Sequence, residues 1–214
     1  MPTAPLLVLG TTNAGKLREL AELLEPLGIA CRSLAELPDA VDVEETGGSF
    51  AENAALKASQ QARALRAWVL AEDSGLCVDA LGGAPGIYSA RFAASHGVGV
   101  GDERNNSLLL ERLAAVPAAD RAAHYACHAA LADPQGGIAA VSQGICRGLI
   151  ATAAHGAGGF GYDPLFVVPE YHRTFGELSP AVKAVVSHRA RAMRAIIPSL
   201  VRLLRPPAPP GGGR

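Results

Sequence analysis

The segment from residue 6 to residue 27 constrains the fold of this chain more than any other. An apolar run at residues 6–9 is followed by the tight loop Gly10–Lys16 (GTTNAGK), and leucines then recur at helical spacing up to Gly28. This strand–loop–helix unit predicts an α/β fold. It also places a helix N-terminus, with its unpaired N–H groups and positive dipole end, where a phosphate can bind.

The same loop matches the phosphate-loop pattern G-x-x-x-x-G-K, with one exception. The next residue is Leu17, where that pattern has Ser or Thr. The missing hydroxyl normally contacts the nucleotide's magnesium, so Leu17 counts against a phosphate-loop ATPase or small kinase, which stays an alternative. A plain strand-to-helix turn capped by Asn13 also fits the pattern.

Composition narrows the class of protein. Of 214 residues, 49% are hydrophobic and the net charge is −1, which argues against a nucleic-acid surface and allows a sizeable core. No run approaches the roughly 18 apolar residues of a membrane span. The first residues lack the basic region of a secretory signal, so we expect a cytoplasmic protein. Four separated cysteines form no C-x-x-C pair, so we expect reduced thiols and no zinc site.

The remaining pattern predicts one mixed-sheet α/β domain over residues 1–205. Helices are expected at 17–27, 49–65 (opened by a Ser49–Glu52 capping box), 102–113 (capped by Asp102) and 180–204, and strands at 68–71, 122–132, 138–147 and 165–168. Residues 133–137 join two strands as a hairpin. Residues 206–214 contain almost nothing to bury, so we expect a disordered tail.

Acidic residues follow the apolar run at 68–71, which we expect to end at Glu72 and Asp73. With Glu44 and Glu45 they offer carboxylates for a hard cation, and magnesium prefers a few carboxylates together with water and substrate phosphates. A helix cap or a solvated turn is the structural alternative. Lys57, on the intervening helix, either faces this site or is solvated.

Two further loops carry candidate ligand groups. In Gly158–Pro164 (GGFGYDP), glycines flank Phe160 and allow its ring to stack on a nucleobase, or Phe160 and Tyr162 pack inward. Lys183 and Ser187-His188-Arg189 offer donors to a phosphate or a base carbonyl, or form a solvated basic stretch. We interpret His124 and His128, on a predicted strand, as surface or core residues rather than metal ligands.

Taken together, six motifs occur in an order that resembles the inosine triphosphate pyrophosphatase family, also called XTP/dITP diphosphatases. They span nearly the whole chain: Thr11–Lys16 (TTNAGK), Glu44–Ala58, Asp73–Leu76 (DSGL), Gly82–Arg91 (GGAPGIYSAR), Gly159–Pro164 (GFGYDP) and Ser187–Arg189 (SHR). The first follows the signature T-x-N-x-x-K, which permits Leu17.

The resemblance implies an elongated, two-lobed α/β fold with the active site in the cleft between the lobes, usually as a homodimer. It implies hydrolysis of ITP, dITP or XTP to the monophosphate and pyrophosphate with Mg²⁺, which clears damaged purine nucleotides. A phosphate-loop enzyme and a nucleotide-binding protein without catalysis remain the alternatives.

The resemblance also assigns residues. Asp73 is the proton acceptor, and Glu45 and Asp73 hold magnesium, with Glu72, where many bacterial relatives have aspartate, as a further candidate ligand. Phe160 stacks on the base, His188 and Arg189 donate to the 6-oxo group, and lysines neutralise the triphosphate. The full substrate-binding set is Thr11, Thr12, Asn13, Ala14, Gly15, Lys16, Lys57, Ser74, Phe160, Gly161, Tyr162, Asp163, Lys183, His188 and Arg189. Where the family often has Glu before the last lysine, this chain has Pro180-Ala181-Val182.

Overall fold

The computed structural model describes residues 6–204, and its strands form one mixed sheet. In chain order the strands are β1 (Leu7–Leu9), β2 (Cys31–Ser33), β3 (Trp68–Val78), β4 (Ala122–Ala132), β5 (Ile138–Ile150), β6 (Phe166–Val168) and β7 (Arg173–Thr174). The α-helices are α1 (Ala14–Leu24), α2 (Phe50–Leu65), α3 (Phe92–Ser95), α4 (Asp102–Arg112), α5 (Pro180–Val186) and α6 (His188–Leu204). The tail expected at 206–214 lies outside the described residues.

The sheet combines a parallel part and an antiparallel part. Its strand order is β2-β1-β3-β4-β5-β6-β7. β1 pairs in parallel with both β2 and β3, and every later pairing is antiparallel. Parallel neighbours need crossover helices, which α1 and α2 supply, whereas β4 and β5 need only the short hairpin at residues 133–137. The predicted mixed α/β sheet is confirmed.

Side-chain alternation gives the parallel part of the sheet a core on each face. On one face, Leu7 and Leu9 pack with leucines of α1 and apolar residues of α6. On the other, Val8 packs with the alanines of α2. Successive strand residues point to opposite faces, so a sheet buried on both sides is apolar at every position, as residues 7–9 are.

A third core lies beyond the middle of β3 and β4. Here Leu76 and Val78 pack with Leu109 of α4 and with Phe166 and Phe175. The long strand β3 therefore passes from the two-faced helix sandwich into this third core. The residues Glu72, Asp73 and Ser74 lie at the change between them.

The strand predicted at residues 68–71 is longer than expected. Glu72 and Asp73 do not end it, because β3 continues to Val78 and pairs with β4 throughout, with Asp73 opposite His128. Buried charge does not interrupt the strand, because cations from helices on both faces pair with the two carboxylates.

The helix predicted at residues 180–204 is two helices. Ser187 has extended backbone angles (φ −66°, ψ 157°) and separates α5 from α6. Its Oγ accepts a hydrogen bond from the N–H of Ala190 at 3.2 Å, so it acts as an N-cap for α6. His188 and Arg189 therefore open a helix instead of lying inside one.

Other local predictions are confirmed or shifted by up to three residues: α1 begins at Ala14 instead of residue 17, and β5 continues to Ile150 instead of ending at 147. Ser49 Oγ accepts from the N–H of Glu52, whereas the Glu52 carboxylate reaches Gly48 N–H instead of closing the capping box on Ser49. Asp102 is the first residue of α4, and Gly101 is its cap. The cysteines are free thiols, two buried and two half-buried. No helix within residues 6–204 is long and apolar enough to cross a membrane.

We predict that Gly144→Ala destabilises the fold. A Cβ at Gly144 in β5 would lie 2.1 Å from the carbonyl oxygen of His188 and 2.4 Å from the nitrogen of Ala192, so α6 would have to move. The free energy of unfolding, measured by urea denaturation, should fall by about 1–3 kcal/mol, as for other overpacked cores.

Gly48→Ala is the matched control, because a Cβ there meets only the Glu52 carboxylate at 3.6 Å. Its unfolding free energy should stay within about 0.5 kcal/mol of the parent value. Equal losses in the two variants would contradict a close approach of α6 to β5.

Candidate active site

One cavity of about 130 Å³ brings together most of the residues predicted for substrate and metal. It is lined by Asn13, Lys16, Glu45, Asp73, Ser74, Phe160, Gly161, Tyr162, Asp163, Lys183, His188 and Arg189. The other predicted residues, Thr11, Thr12, Ala14, Gly15, Lys57 and Glu72, do not line it. A second cavity of about 260 Å³ adjoins it and shares Phe160 and Lys183 with it.

The loop between β1 and α1 positions Lys16. Asn13 Oδ1 accepts from the N–H of Lys16 at 3.0 Å and caps α1, while Thr11 Oγ1 accepts from the N–H of Asn13 at 3.2 Å. Thr11 thus shapes the turn from outside the cavity. The Lys16 side chain extends to Glu72, with Nζ 2.9 Å from Oε1.

Glu72 and Asp73 lie on opposite faces of the sheet, because they are consecutive residues of β3. Glu72 faces α1 and α6, where its fully buried carboxylate contacts Lys16, Arg189 and the thiol of Cys127. Asp73 faces α2. The structure therefore does not bring Glu72 together with Glu45 and Asp73 as a third metal ligand, and places it instead between two cations.

A continuous chain of ion pairs runs from Glu72 to the aromatic loop. Arg189 Nη2 lies 3.2 Å from Glu72 Oε1, and Arg189 Nη1 pairs with Glu19 of α1. Glu19 Oε1 also binds Lys183 Nζ at 2.8 Å, and Lys183 pairs in turn with Asp163. This network, from Lys16 to Asp163, contains three cations and three carboxylates.

A second network lies on the other face of β3. Lys57 Nζ is 2.9 Å from Asp73 Oδ1 and 2.9 Å from Glu45 Oε1, and Arg91 pairs with the other oxygen of Glu45 at 3.0 Å. Asn53 Nδ2 donates to Asp73 Oδ2 at 3.3 Å. Lys57 is thus bound at the edge of the site rather than solvated, which decides between the two interpretations of the sequence.

The pair Glu45 and Asp73 fits a hard divalent cation. Their oxygens already converge on one positive group, the Lys57 ammonium. Among residues 6–204 no group of three or more His, Cys, Asp and Glu side chains could hold a metal ion. Magnesium is commonly bound by one or two carboxylates with water and substrate phosphates completing its shell, so this pair suffices as the protein's share.

Burial and neighbouring charges shift the pKa values of the two β3 carboxylates in opposite directions. Burial raises the pKa of Asp73 above its usual range, with Lys57 only partly opposing that effect. Burial would also raise the pKa of Glu72, but Arg189 and Lys16 hold it well below its usual range. Asp73 is therefore the more basic carboxylate, and Glu72 is a fixed negative charge.

The two aromatic residues of the glycine loop that line the same cavity are placed differently. Tyr162 packs inward, with its hydroxyl donating to the carbonyl of Ser89 at 2.9 Å. Phe160 is half-buried between the two cavities, with Lys183 Nζ 4.6 Å from its ring centroid. Gly15 packs against it, because a Cβ there would lie 2.6 Å from Phe160 Cδ1.

The first two residues of α6, which line the same cavity, each have an unpartnered polar atom. His188 Nδ1 and Arg189 Nε are buried and have no hydrogen-bond partner in the described part of the chain. His188 stacks on Tyr125 at 4.6 Å and 7° between planes. Burial first, and then Arg189 and Lys183, lower the pKa of His188 well below its usual value, so its ring is neutral at pH 7.

Sequence reasoning missed several residues of the site. Glu19 pairs with cations of the first network, and Asn53 donates to a carboxylate of the second. Ser89, Asp102 and Tyr125 line the cavity. Helical spacing could have indicated Glu19, which lies three residues after Lys16 on α1. Nothing in the sequence indicates Tyr125, because only the strand pairing brings β4 to this site.

Comparisons with known proteins show which family the chain belongs to. Residues 7–199 match the model of the Ham1 family. The chain belongs to the Ham1 family. It is 56% identical over 199 residues to a protein of Rhodopirellula baltica named dITP/XTP pyrophosphatase, covering 93% of this chain and 94% of that protein. A Geobacillus kaustophilus protein of the same name is 50% identical over 187 residues, covering 87% and 90%.

A solved Ham1 structure gives the same result for the fold. The HAM1 protein from Coxiella burnetii matches with a TM-score of 0.82 and 38% identity, covering 92% of this chain and 99% of that one. The predicted resemblance to the XTP/dITP diphosphatases and the predicted fold class are therefore confirmed for this Ham1 family member.

We predict that His188 makes stability fall as the pH decreases through about 6.5, its usual pKa, and onward toward the lower pKa that it has in the folded protein. The unfolded chain binds a proton at His188 near its usual pKa of about 6.5, while the folded protein does not. The free energy of unfolding is therefore highest above that pKa and falls as the pH decreases. His188→Phe keeps an aromatic ring on Tyr125 and should flatten this decline in urea titrations.

Tyr125→Phe is the matched control, since it changes the stacked partner but leaves the imidazole in place. It should keep the slope of the parent protein. An unchanged slope in His188→Phe would show that His188 takes up a proton in the folded protein as readily as in the unfolded chain.

Proposed function

We propose that this protein hydrolyses non-canonical purine nucleoside triphosphates (ITP, dITP or XTP) to the monophosphate and pyrophosphate with Mg²⁺, and so removes them from the nucleotide pool. One observation carries the proposal. A single cavity is lined by Lys16, Glu45 and Asp73 and also by the Phe160 ring, with His188 and Arg189, each of which has an unpartnered buried polar atom. The names of the relatives support the same reaction.

The lysines of the site suit a triphosphate. Lys16 stands in the first turn of α1, where the helix N-terminus adds its own positive potential. Lys57 approaches from α2. Both lysines are paired with carboxylates, so phosphate oxygens would compete for ammonium groups that are already held in place. Such pre-positioned charge stabilises a developing phosphorane best.

Asp73 is the group that accepts a proton from the attacking water. Its carboxylate is buried, and its raised pKa makes it a stronger base than an exposed aspartate. Lys57 and Asn53 bind one oxygen each and fix its orientation. Cleavage at the α-phosphorus then leaves pyrophosphate, whose charge Lys16 and Lys57 help to bind.

Glu45 and Asp73 would hold the magnesium ion. When bound, magnesium supplies positive charge to phosphate oxygens and lowers the pKa of water. Arg91 and Lys57 lower the pKa of Glu45 against the effect of its burial, so this carboxylate is ionised and ready to bind a cation at neutral pH.

The Phe160 ring and Arg189 suit a 6-oxopurine base. Phe160 offers a ring face for stacking, and Arg189 Nε is a donor that requires an acceptor. The 6-oxo group of hypoxanthine or xanthine is such an acceptor, whereas the 6-amino group of adenine is a donor. An unpaired donor in a buried site carries a large penalty, so ATP should be discriminated against strongly.

Lys183 lies among the groups proposed to bind the purine base. It was expected among the lysines that neutralise the triphosphate, but it is buried beneath Phe160 with both Glu19 and Asp163 as partners. We therefore propose that Lys183 shapes the base pocket. We also propose, from the family resemblance, a single two-lobed domain that acts as a homodimer in the cytoplasm.

Product analysis in ¹⁸O-labelled water tests the reaction. The protein with ITP and Mg²⁺ should yield IMP and pyrophosphate, with the label in IMP because attack occurs at the α-phosphorus. ATP is the matched substrate, and its kcat/KM should be at least about a hundredfold lower, as expected when a buried donor is left unpaired. IDP and orthophosphate as products, or a preference for ATP, would instead favour a phosphate-loop type of enzyme.

Two isosteric substitutions separate the proposed roles of the carboxylates. Asp73→Asn removes the base and weakens a proposed metal ligand; at saturating magnesium it should still lower kcat by at least about a hundredfold, a usual size for general-base catalysis, with little change in unfolding. Glu45→Gln keeps the base, so its main effect should be a higher magnesium concentration for half-maximal rate. Full activity in Asp73→Asn would remove Asp73 from the base role.

A further inference from the structure

Two side chains of α4 hold the loop that carries Phe160. Asp102 Oδ2 accepts a hydrogen bond from the N–H of Gly161 at 2.6 Å. Asn106 Nδ2 donates to the carbonyl oxygen of the same residue at 3.0 Å. Asp102 and Asn106 are four residues apart and therefore share one face of the helix. Both backbone polar groups of Gly161 are thus bound by a single turn of α4.

The hydrogen bonds from Asp102 and Asn106 to Gly161, called the α4 clamp below, restrict the orientation of the neighbouring Phe160 side chain. Phe160 stands between Gly159 (φ +78°) and Gly161 (φ +62°), two residues in the left-handed region. Without other restraints, glycines on both sides would let the ring take several orientations. The N–H of Phe160 donates to Asp163 Oδ2 at 2.9 Å, which fixes the backbone on the N-terminal side of the Phe160 side chain. The α4 clamp fixes the backbone on its C-terminal side, at Gly161.

The helix behind the clamp is rigidly held. Its residues Leu108 and Leu109 are buried in the third core, with Leu113 just beyond its end. A third side chain of α4, Asn105, accepts from the N–H of Ala93 at 2.8 Å and donates to the carbonyl of Ala90 at 3.2 Å. The cavity-lining segment at Ala90 and the Phe160 loop are therefore both held by α4.

From this geometry we infer that Asp102 and Asn106 are positioning residues for base recognition. By holding Gly161, they keep the Phe160 ring ready to stack on a purine, so less conformational entropy is lost when the base binds. The inference rests on the proposed function, because it takes Phe160 as the platform for the base. Neither side chain takes part in the chemistry at the phosphates.

Binding of IMP, the proposed product, tests this without requiring turnover. In calorimetric titrations, Asp102→Ala should raise the Kd for IMP about tenfold, a change of about 1.4 kcal/mol, which is typical of losing a hydrogen bond to a charged group. Asn106→Ala should act in the same direction. Asp102→Asn retains an acceptor oxygen and should recover most of the loss.

Glu103→Ala is the matched control. It removes an equal charge from the same helical turn, and Glu103 is exposed. Its Kd should stay within about twofold of the parent value, as for surface substitutions in general. A weakening equal to that of Asp102→Ala would assign the effect to charge or helix stability and overturn the inference.

A double-mutant cycle with Phe160→Ala distinguishes positioning from general damage. If Asp102 acts through the ring, Asp102→Ala should change IMP binding by less than about twofold once the ring is gone. A tenfold loss in the Phe160→Ala background would overturn the inference. So would a failure of the intact protein to bind IMP.

Amide hydrogen exchange at Gly161 gives a readout independent of any ligand. Asp102→Ala should accelerate exchange of that N–H, while Asp102→Asn and Glu103→Ala should not. Unchanged exchange would show that no clamp exists. If the protein bound IMP and showed these effects but released no pyrophosphate from ITP, the proposed reaction would fail and the clamp would stand.

Discussion

The buried carboxylate of Glu72 is the interaction on which the site depends. It lies in the middle of β3, away from water, and accepts contacts from Lys16, Arg189 and the Cys127 thiol. A buried charge persists only when it is paired, and removing one partner of such a pair costs about 3–5 kcal/mol. Because the partners come from α1, α6 and β4, this requirement fixes two helices and a strand relative to β3, and so brings Lys16 of α1 and Arg189 of α6 together at the cavity.

Strand geometry then separates two kinds of carboxylate that the sequence places side by side. Glu72 and Asp73 face opposite sides of the sheet, and each belongs to an ion-pair network with as many cations as carboxylates. The two networks are therefore close to neutral although the site is crowded with charge. Under the proposed function, a triphosphate with its metal ion would exchange partners within this array. The different pKa shifts of Glu72 and Asp73 follow from this division.

Sequence patterns predicted features that depend on neighbouring residues, such as helix caps. They failed for features that depend on contacts with distant elements of the fold. The Asn13 cap and the start of α1 were readable, since a cap depends on residues three positions apart. The end of β3 was not, because charged residues normally stop a buried strand unless helices elsewhere supply counter-charges. The break at Ser187 was missed, because nothing nearby resembles a glycine or proline signal and the serine caps the second helix only in the folded chain. Asp102 was expected only to cap its own helix, yet it holds a loop that lies 59 residues further along the chain.

By itself, the sequence determined the mixed α/β fold class, the Ham1 family and the identity of most cavity-lining side chains. It could do so because periodicity, caps and ordered motifs are properties of neighbouring residues. Only the tertiary structure decided that Glu72 lies between Lys16 and Arg189 while Asp73 pairs with Lys57, that Lys183 lies beside Phe160, and that α4 holds the Phe160 loop. These depend on strand register and helix packing across long separations, and pKa, burial and orientation arise from the neighbours that such packing supplies.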